Sequence, residues 1–334
     1  MNQTPFFSIV IATRDRPKMF LAALDSVANQ DFAAKELIVV VDGSSDENMT
    51  KYKAIEKQRG DVTFHYLTHR KDGHGQSYSV NYGASKSNGE FLCFLDDDDE
   101  WTDFSYLQNL YNSIEASSKP VDVHYSHQKA LFADGKPQNE TVWLEDRIPL
   151  AQSLPEIAPG THQVDRTFLL KSAGFGHLNC SAFSRKFFDS INGMDESIRY
   201  ENDRDLFIRS IDVAEVILFS TRYMSLHHIP DNSKKDNMST MASNIEKKLY
   251  QMRVYDKGVA LGKSQEIASY CRRGKTYEQK HLARILEKNG DIRGASQYAR
   301  EALLSGFTLK WLAYTIQISA RSLFHTRSDT QSHA

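Results

Sequence analysis

Four consecutive aspartates, Asp96, Asp97, Asp98 and Asp99, follow directly on the apolar run Phe91-Leu92-Cys93-Phe94-Leu95. Like charges this close repel one another, so an undirected acidic run would belong in solvent. Here the preceding residues read as a buried strand. Such a strand delivers several carboxylates to the carboxyl edge of a sheet, where open α/β folds place their ligands. A divalent cation bound there would relieve the repulsion and could hold a phosphate. The alternative, a solvated acidic loop, fits less well because such loops seldom follow a buried strand so directly. Further along, His227-His228 ends another strand-like stretch that begins near Glu215, and an imidazole can complete a metal site.

The first hundred residues supply the elements that would position these groups. Phe6 to Ala12 reads as a buried strand, and Pro17 suits the first turn of a helix that places Leu21, Leu24 and Val27-Ala28 on one face. Leu37 to Val41 is an apolar, mostly β-branched strand, broken by Asp42-Gly43-Ser44-Ser45-Asp46. A polar helix to about Gln58, a strand from Val62 to Tyr66 and a helix from Gly75 to Lys86 lead into Phe91 to Leu95. This alternation predicts an α/β fold with a mainly parallel sheet between helices. Neither the Gly-x-Gly-x-x-Gly turn of a dinucleotide binder nor a P-loop is present.

The chain has 334 residues, 40% hydrophobic and 25% charged, which is ordinary for a globular protein with a real core. A net charge of -2 gives no global case for nucleic-acid binding. Cys93, Cys180 and Cys271 are far apart and odd in number, which suggests reduced thiols rather than a disulfide framework. With no basic and apolar leader at Met1-Asn2-Gln3-Thr4-Pro5 and no apolar run of spanning length, a cytoplasmic location is expected.

Several segments, in order, resemble family 2 glycosyltransferases with a GT-A fold: Ser8 through Pro17, Val40 through Asp46, Gly75 through Gly83 with Gly89-Glu90-Phe91, the aspartate cluster, Asn192 through Glu196, and Glu201 through Arg209. The resemblance covers roughly residues 6–230. It departs from the family pattern at Val41, where a first acid is common, and at Val80, where an arginine is common.

What the resemblance implies is a metal-dependent, inverting transfer of a sugar from a UDP-sugar to a hydroxyl of a glycan or lipid-linked acceptor in surface polysaccharide biosynthesis. Asp42 would accept from the uracil N–H; Thr13 and Arg16 could approach the base or phosphates. Asp96 and Asp98 match the Asp-x-Asp pair, with Asp98 on Mn²⁺ or Mg²⁺ and Asp96 near the ribose or the metal. The run leaves the register open, so Asp97 or Asp99 could share the role. The family also places a metal- or diphosphate-binding histidine near His228. Asp203 is the expected base for the acceptor hydroxyl, with Glu201 as the alternative. Asp205 and Arg209 read better as an ordinary helix ion pair. Trp101 could lie beside the donor or in the core.

Residues 124–182 are the least legible; Lys171 through His177 could line an acceptor pocket or form a plain surface loop. Asp231 to Ser239, with Lys234 and Lys235, reads as a loop able to close over the diphosphate. The expected domains are a GT-A domain at 1–240, with a nucleotide half to residue 100, and a helical region at 241–334. That region contains one helical hairpin and an amphipathic tail from Phe307 to Arg327, with Leu312, Ile316, Ala320 and Leu323 on one face. Such a tail could meet the inner face of a membrane or pack on its own domain. Two alternatives compete with sugar transfer: a nucleotidyltransferase, and a nucleotide-sugar-binding protein that has lost catalysis.

Overall fold

The computed structural model describes residues 4–140, 142–231 and 238–331. The chain divides into two compact units, Met1–Asp231 and Asn232–Ala334. Among the described residues no helix is long and apolar enough to cross a membrane.

The first unit begins with β1 (Phe7–Thr13), α1 (Pro17–Ala28), β2 (Lys35–Val41), α2 (Asp46–Glu56), β3 (Val62–Tyr66), α3 (Gln76–Ser85) and β4 (Phe91–Asp96). β1, β2 and β4 carry runs of buried apolar residues, as expected for strands covered on both faces. In α1 the buried face is Phe20, Ala23, Leu24 and Val27. Leu21 is exposed, contrary to expectation; a helix turns 100° per residue, and Phe20 with its i+3, i+4 and i+7 neighbours forms the tighter stripe.

The second half holds β5 (Glu100–Trp101), α4 (Tyr106–Glu115), β6 (Val123–Leu131), α5 (Ile148–Ala151), β7 (Glu156–Ala158), β8 (Thr161–Val164), α6 (Arg166–Leu169), β9 (Ser181–Ser184), α7 (Arg185–Ser190), α8 (Asn202–Val213) and β10 (Ile217–His228). One mixed sheet joins both halves in the order β3-β2-β1-β4-β9-β6-β10-β8-β7, with β5 on β10. β3, β2, β1 and β4 are mutually parallel, and β9 is antiparallel to both β4 and β6. Trp101 belongs to the core: it is buried, meets Tyr106 edge-to-face and donates from Nε1 to the Asn179 carbonyl.

The second unit is helical: α9 (Met238–Met241), α10 (Asn244–Leu261), α11 (Gln265–Lys288), α12 (Ile292–Ser305) and α13 (Leu309–Gln331). Ser243 and Glu246 form a capping box at the start of α10. Small residues on α12, Ala295, Ala299 and Ala302, make room for Trp311 and Ile318 of α13. Trp311 Nε1 donates to the Ala299 carbonyl at 2.9 Å, so this part of the tail is built into its own unit. The segment with Lys234 and Lys235 lies outside the described residues.

Candidate active site

Parallel strands aim their carboxyl ends the same way, so Thr13, Asp42 and Asp96 arrive at one edge of the sheet. From Asp96 the chain turns tightly, and the four aspartates take separate partners. Asp97 is buried, accepts from Thr13 Oγ1 at 2.6 Å and pairs with Arg16 at 2.6 Å. Arg16 reaches Asp98 at 2.8 Å with its other terminal nitrogen. Asp99 is fully buried and accepts from the His228 backbone N–H, from His227 Nδ1 at 2.8 Å, and from Asn179 Nδ2. Asp96 accepts from Gln76 Nε2 at 2.5 Å.

One oxygen each from Asp96, Asp98 and Asp99 lies within 4.8 Å of the others. Burial, and then their mutual repulsion, raises the pKa of Asp96 well above the carboxylate range. Burial pushes Asp97 up to about 7 against the pull of Arg16. Burial alone would raise Asp99 and depress His227; their mutual attraction reverses both, leaving Asp99 low and His227 at about 9. Arg16 and the His227 imidazolium thus offset two of the four carboxylates. An oxygen-only donor set whose carboxylates repel one another fits a hard dication.

His227 and His228 reach this point because β10 pairs with β5, Ser225 opposite Trp101 and Leu226 opposite Glu100. His227 faces Asp99, while the His228 ring, the one the sequence favours, sits on Glu100 at 3.0 Å.

Across the cleft, Asp203 lies in the first turn of α8. Glu201 precedes that helix in the left-handed region, φ 64°, an uncommon conformation for a residue with a Cβ. Its carboxylate accepts from Arg204 Nε, and the Arg204 guanidinium lies over the Phe175 ring. Burial, and then the Glu201 charge, raises Asp203 to about 7. His177 bridges the two sides: its Nε2 is 4.0 Å from Asp96 and 3.8 Å from Asp203. Its Nδ1 accepts from the Asn179 backbone N–H, which leaves the ring proton on Nε2, facing both carboxylates. Gln76 forms a second bridge, accepting from Asn202 Nδ2 at 3.0 Å while donating to Asp96.

Asp42 spends both carboxylate oxygens on backbone N–H groups of His74 and Gly75. Gly73 lies so close that a Cβ there would sit 2.6 Å from Asp42 Oδ2, at a φ of +64°. Asn81 clamps Met194 through its backbone N–H and carbonyl, so it ties α3 to the segment that leads to Glu201. Asp205 and Arg209 do form the helix ion pair, at 2.7 Å.

The sequence does not single out Gln76 or Asn179, and of the His227-His228 pair it favours His228. His177 ends the segment offered for the acceptor pocket, and its one signal is a histidine directly after Gly174-Phe175-Gly176.

A GT-A sheet with an acidic strand end facing a helix-borne carboxyl defines a glycosyltransferase-type site. The family model described as Glycosyl transferase family 2 matches residues 8–191, and the chain belongs to that family. This membership decides against the nucleotidyltransferase alternative. A GalNAc(5)-diNAcBac-PP-undecaprenol beta-1,3-glucosyltransferase of Campylobacter jejuni is 36% identical over 96 residues, 29% of this chain and 30% of that one. The amylovoran biosynthesis glycosyltransferase AmsB of Erwinia amylovora is 26% identical over 208 residues, 61% of this chain and 63% of that one. The chain therefore spans less than two thirds of the length of these relatives. Among solved structures, Staphylococcus aureus TarS 1-349 in complex with UDP-GlcNAc superposes with a TM-score of 0.62 at 15% identity, covering 88% of this chain and 80% of that one. The mannosyltransferase PcManGT from Pyrobaculum calidifontis, in complex with GDP-Man and Mn2+, gives a TM-score of 0.57 at 14% identity, with 99% and 85% coverage.

Proposed function

We propose that this chain transfers a sugar from a UDP-sugar, with inversion, to a hydroxyl of a glycan or lipid-linked acceptor in surface polysaccharide assembly. The observation that carries this reading is the facing pair: three carboxylates grouped within 4.8 Å at the sheet edge, and the Asp203 carboxyl with a pKa of about 7 across His177. The names of the relatives support the acceptor class and the bound UDP-GlcNAc of TarS supports the donor class.

Asp96, Asp98 and Asp99 would hold Mn²⁺ or Mg²⁺, and the cation would supply positive charge to the leaving diphosphate. Arg16 and His227 fix those carboxylates. Thr13, whose hydroxyl also meets Tyr52 Oη at 2.7 Å, holds Asp97 in place rather than reaching outward. Asp42, directly after β2, is proposed for the uracil; the His74 and Gly75 amides leave its carboxylate a lone pair for the base N–H. Asp203 takes the acceptor proton as the acceptor oxygen attacks the anomeric carbon. The bond from that carbon to the diphosphate breaks, and its electron pair leaves with UDP. A general base is most effective with a pKa near the working pH, which is where burial puts Asp203. A lipid-linked acceptor would be met at a membrane, to which the chain would bind peripherally.

Titration calorimetry of UDP with and without Mn²⁺ tests the donor site. The reading expects binding that needs the cation; equal affinity in EDTA would remove the metal from it.

A further inference from the structure

In the second unit, the corner between α12 and α13 exposes large apolar side chains in succession: Leu304 is 89% exposed, Phe307 64% and Leu309 77%. Along α13 the exposure continues at Ile316 and Leu323, 61% and 70%. Leu309, Ile316 and Leu323 are seven residues apart, so they drift only about 20° per step and share one line. Exposed Ala313 and Ala320 fall beside that line. The opposite face of α13 is already occupied, since Trp311 and Ile318 are buried against α12. A run of exposed large apolar side chains of this kind marks an interaction site.

Charge selects the occupant. From Ile292 to Arg327 the sequence carries Arg293, Arg300, Lys310, Arg321 and Arg327 against the single carboxylate of Glu301, in a chain whose net charge is -2. Arg321 is tied to Glu287 of α11, and Glu301 is held by Gln279 and Gln297. Lys310 stands one residue from Leu309. A second copy docked through the same face would bring cation against cation. An anionic surface meets the cations favourably and buries the apolar corner at once.

We infer that the α12–α13 corner, led by Leu304, Phe307, Leu309 and Lys310, is a docking surface for an anionic lipid bilayer, with Ile316 and Leu323 lying along the interface. This assigns a surface to the peripheral binding proposed above. None of these residues belongs to the carboxylate cleft, so docking and sugar transfer can fail independently.

The test is co-sedimentation of the full chain with phosphatidylcholine vesicles, with and without phosphatidylglycerol. Binding should require phosphatidylglycerol and weaken as salt is raised. The combined Leu304→Ser, Phe307→Ser and Leu309→Ser variant should lower partitioning at least about tenfold, because interfacial binding scales with buried apolar area. Its circular dichroism and UDP release should stay unchanged. Lys310→Glu should weaken binding without touching the apolar corner. Equal sedimentation of wild type and triple variant, or no sedimentation of either, overturns the assignment. So does a concentration-dependent dimer in sedimentation velocity that the triple variant abolishes without any vesicle binding. A chain that binds vesicles but turns over no nucleotide sugar leaves the surface standing and removes the transfer reading.

Discussion

Asp203→Asn separates the cost of the proposed base from its use. The substitution keeps the shape of the side chain, and Asn Oδ1 can still accept from the Arg204 backbone N–H as Asp203 does at 2.8 Å. Loss of a positioned base lowers turnover by about 10²–10⁴-fold. In the wild type, activity should rise with pH through about 7, because burial and the Glu201 charge hold the proton on Asp203 below that point. The same shift acts on stability with a definite sign. The folded state binds this proton more tightly than the unfolded chain, so stability is lost as pH rises from the ordinary carboxyl value towards 7. A pKa of about 7 in place of 3.8 sets a ceiling of about 4 kcal/mol; the side chain is 18% exposed, and relaxation with water access reduces this to roughly 1–2 kcal/mol. Asp203→Asn should therefore melt a few degrees higher than wild type at pH 8, with the gap closing as the pH falls towards 4. Initial-rate UDP release and thermal melts across pH measure both effects. Near-wild-type turnover in Asp203→Asn, with Glu201→Gln inactive, would exchange the two roles; no stability gain at pH 8 would refute the buried-carboxyl reasoning.

Asp98→Ala should weaken Mn²⁺-dependent UDP binding sharply in calorimetry, because it removes one of the three grouped carboxylates; unchanged affinity would take Asp98 out of the metal set. Gln76→Ala breaks the bridge from Asp96 to Asn202 and should raise the Mn²⁺ concentration needed for activity by about 10–100-fold, the usual effect of losing a group that orients a ligand; an unchanged metal requirement would make the bridge incidental. Trp311→Ala should destabilise the helical unit by about 3–5 kcal/mol in denaturant unfolding, since Trp311 fills the space over Ala299; a loss under about 1 kcal/mol would show that the tail is not packed.

The nucleotide half was legible because its strands are apolar and its helices intervene at regular spacing. β6 was not, because its centre reads His124, Ser126, His127 and Gln128, all buried polar residues that erase the strand pattern although the strand lies inside the sheet. The aspartates could be placed from the strand that precedes them. Three of their partners could not: His177 comes from irregular chain, Asn179 from a single 3₁₀ turn and Gln76 from the first turn of a helix, so only the closed fold sets their distances to Asp96. The choice between His227 and His228 also escaped residue counting. β10 shifts register between Phe219 and Ser225, and a bulge breaks the alternation by which facing is counted.

The most direct measurement is UDP release from a panel of UDP-sugars, with Mn²⁺ or EDTA, by wild type and Asp203→Asn. At least one sugar should be turned over by the wild type, and that turnover should fall in EDTA and in the variant. A folded wild-type chain that binds UDP with Mn²⁺ yet releases none from any sugar, with glycan and lipid-linked acceptors supplied, would contradict transfer and leave a nucleotide-sugar-binding protein.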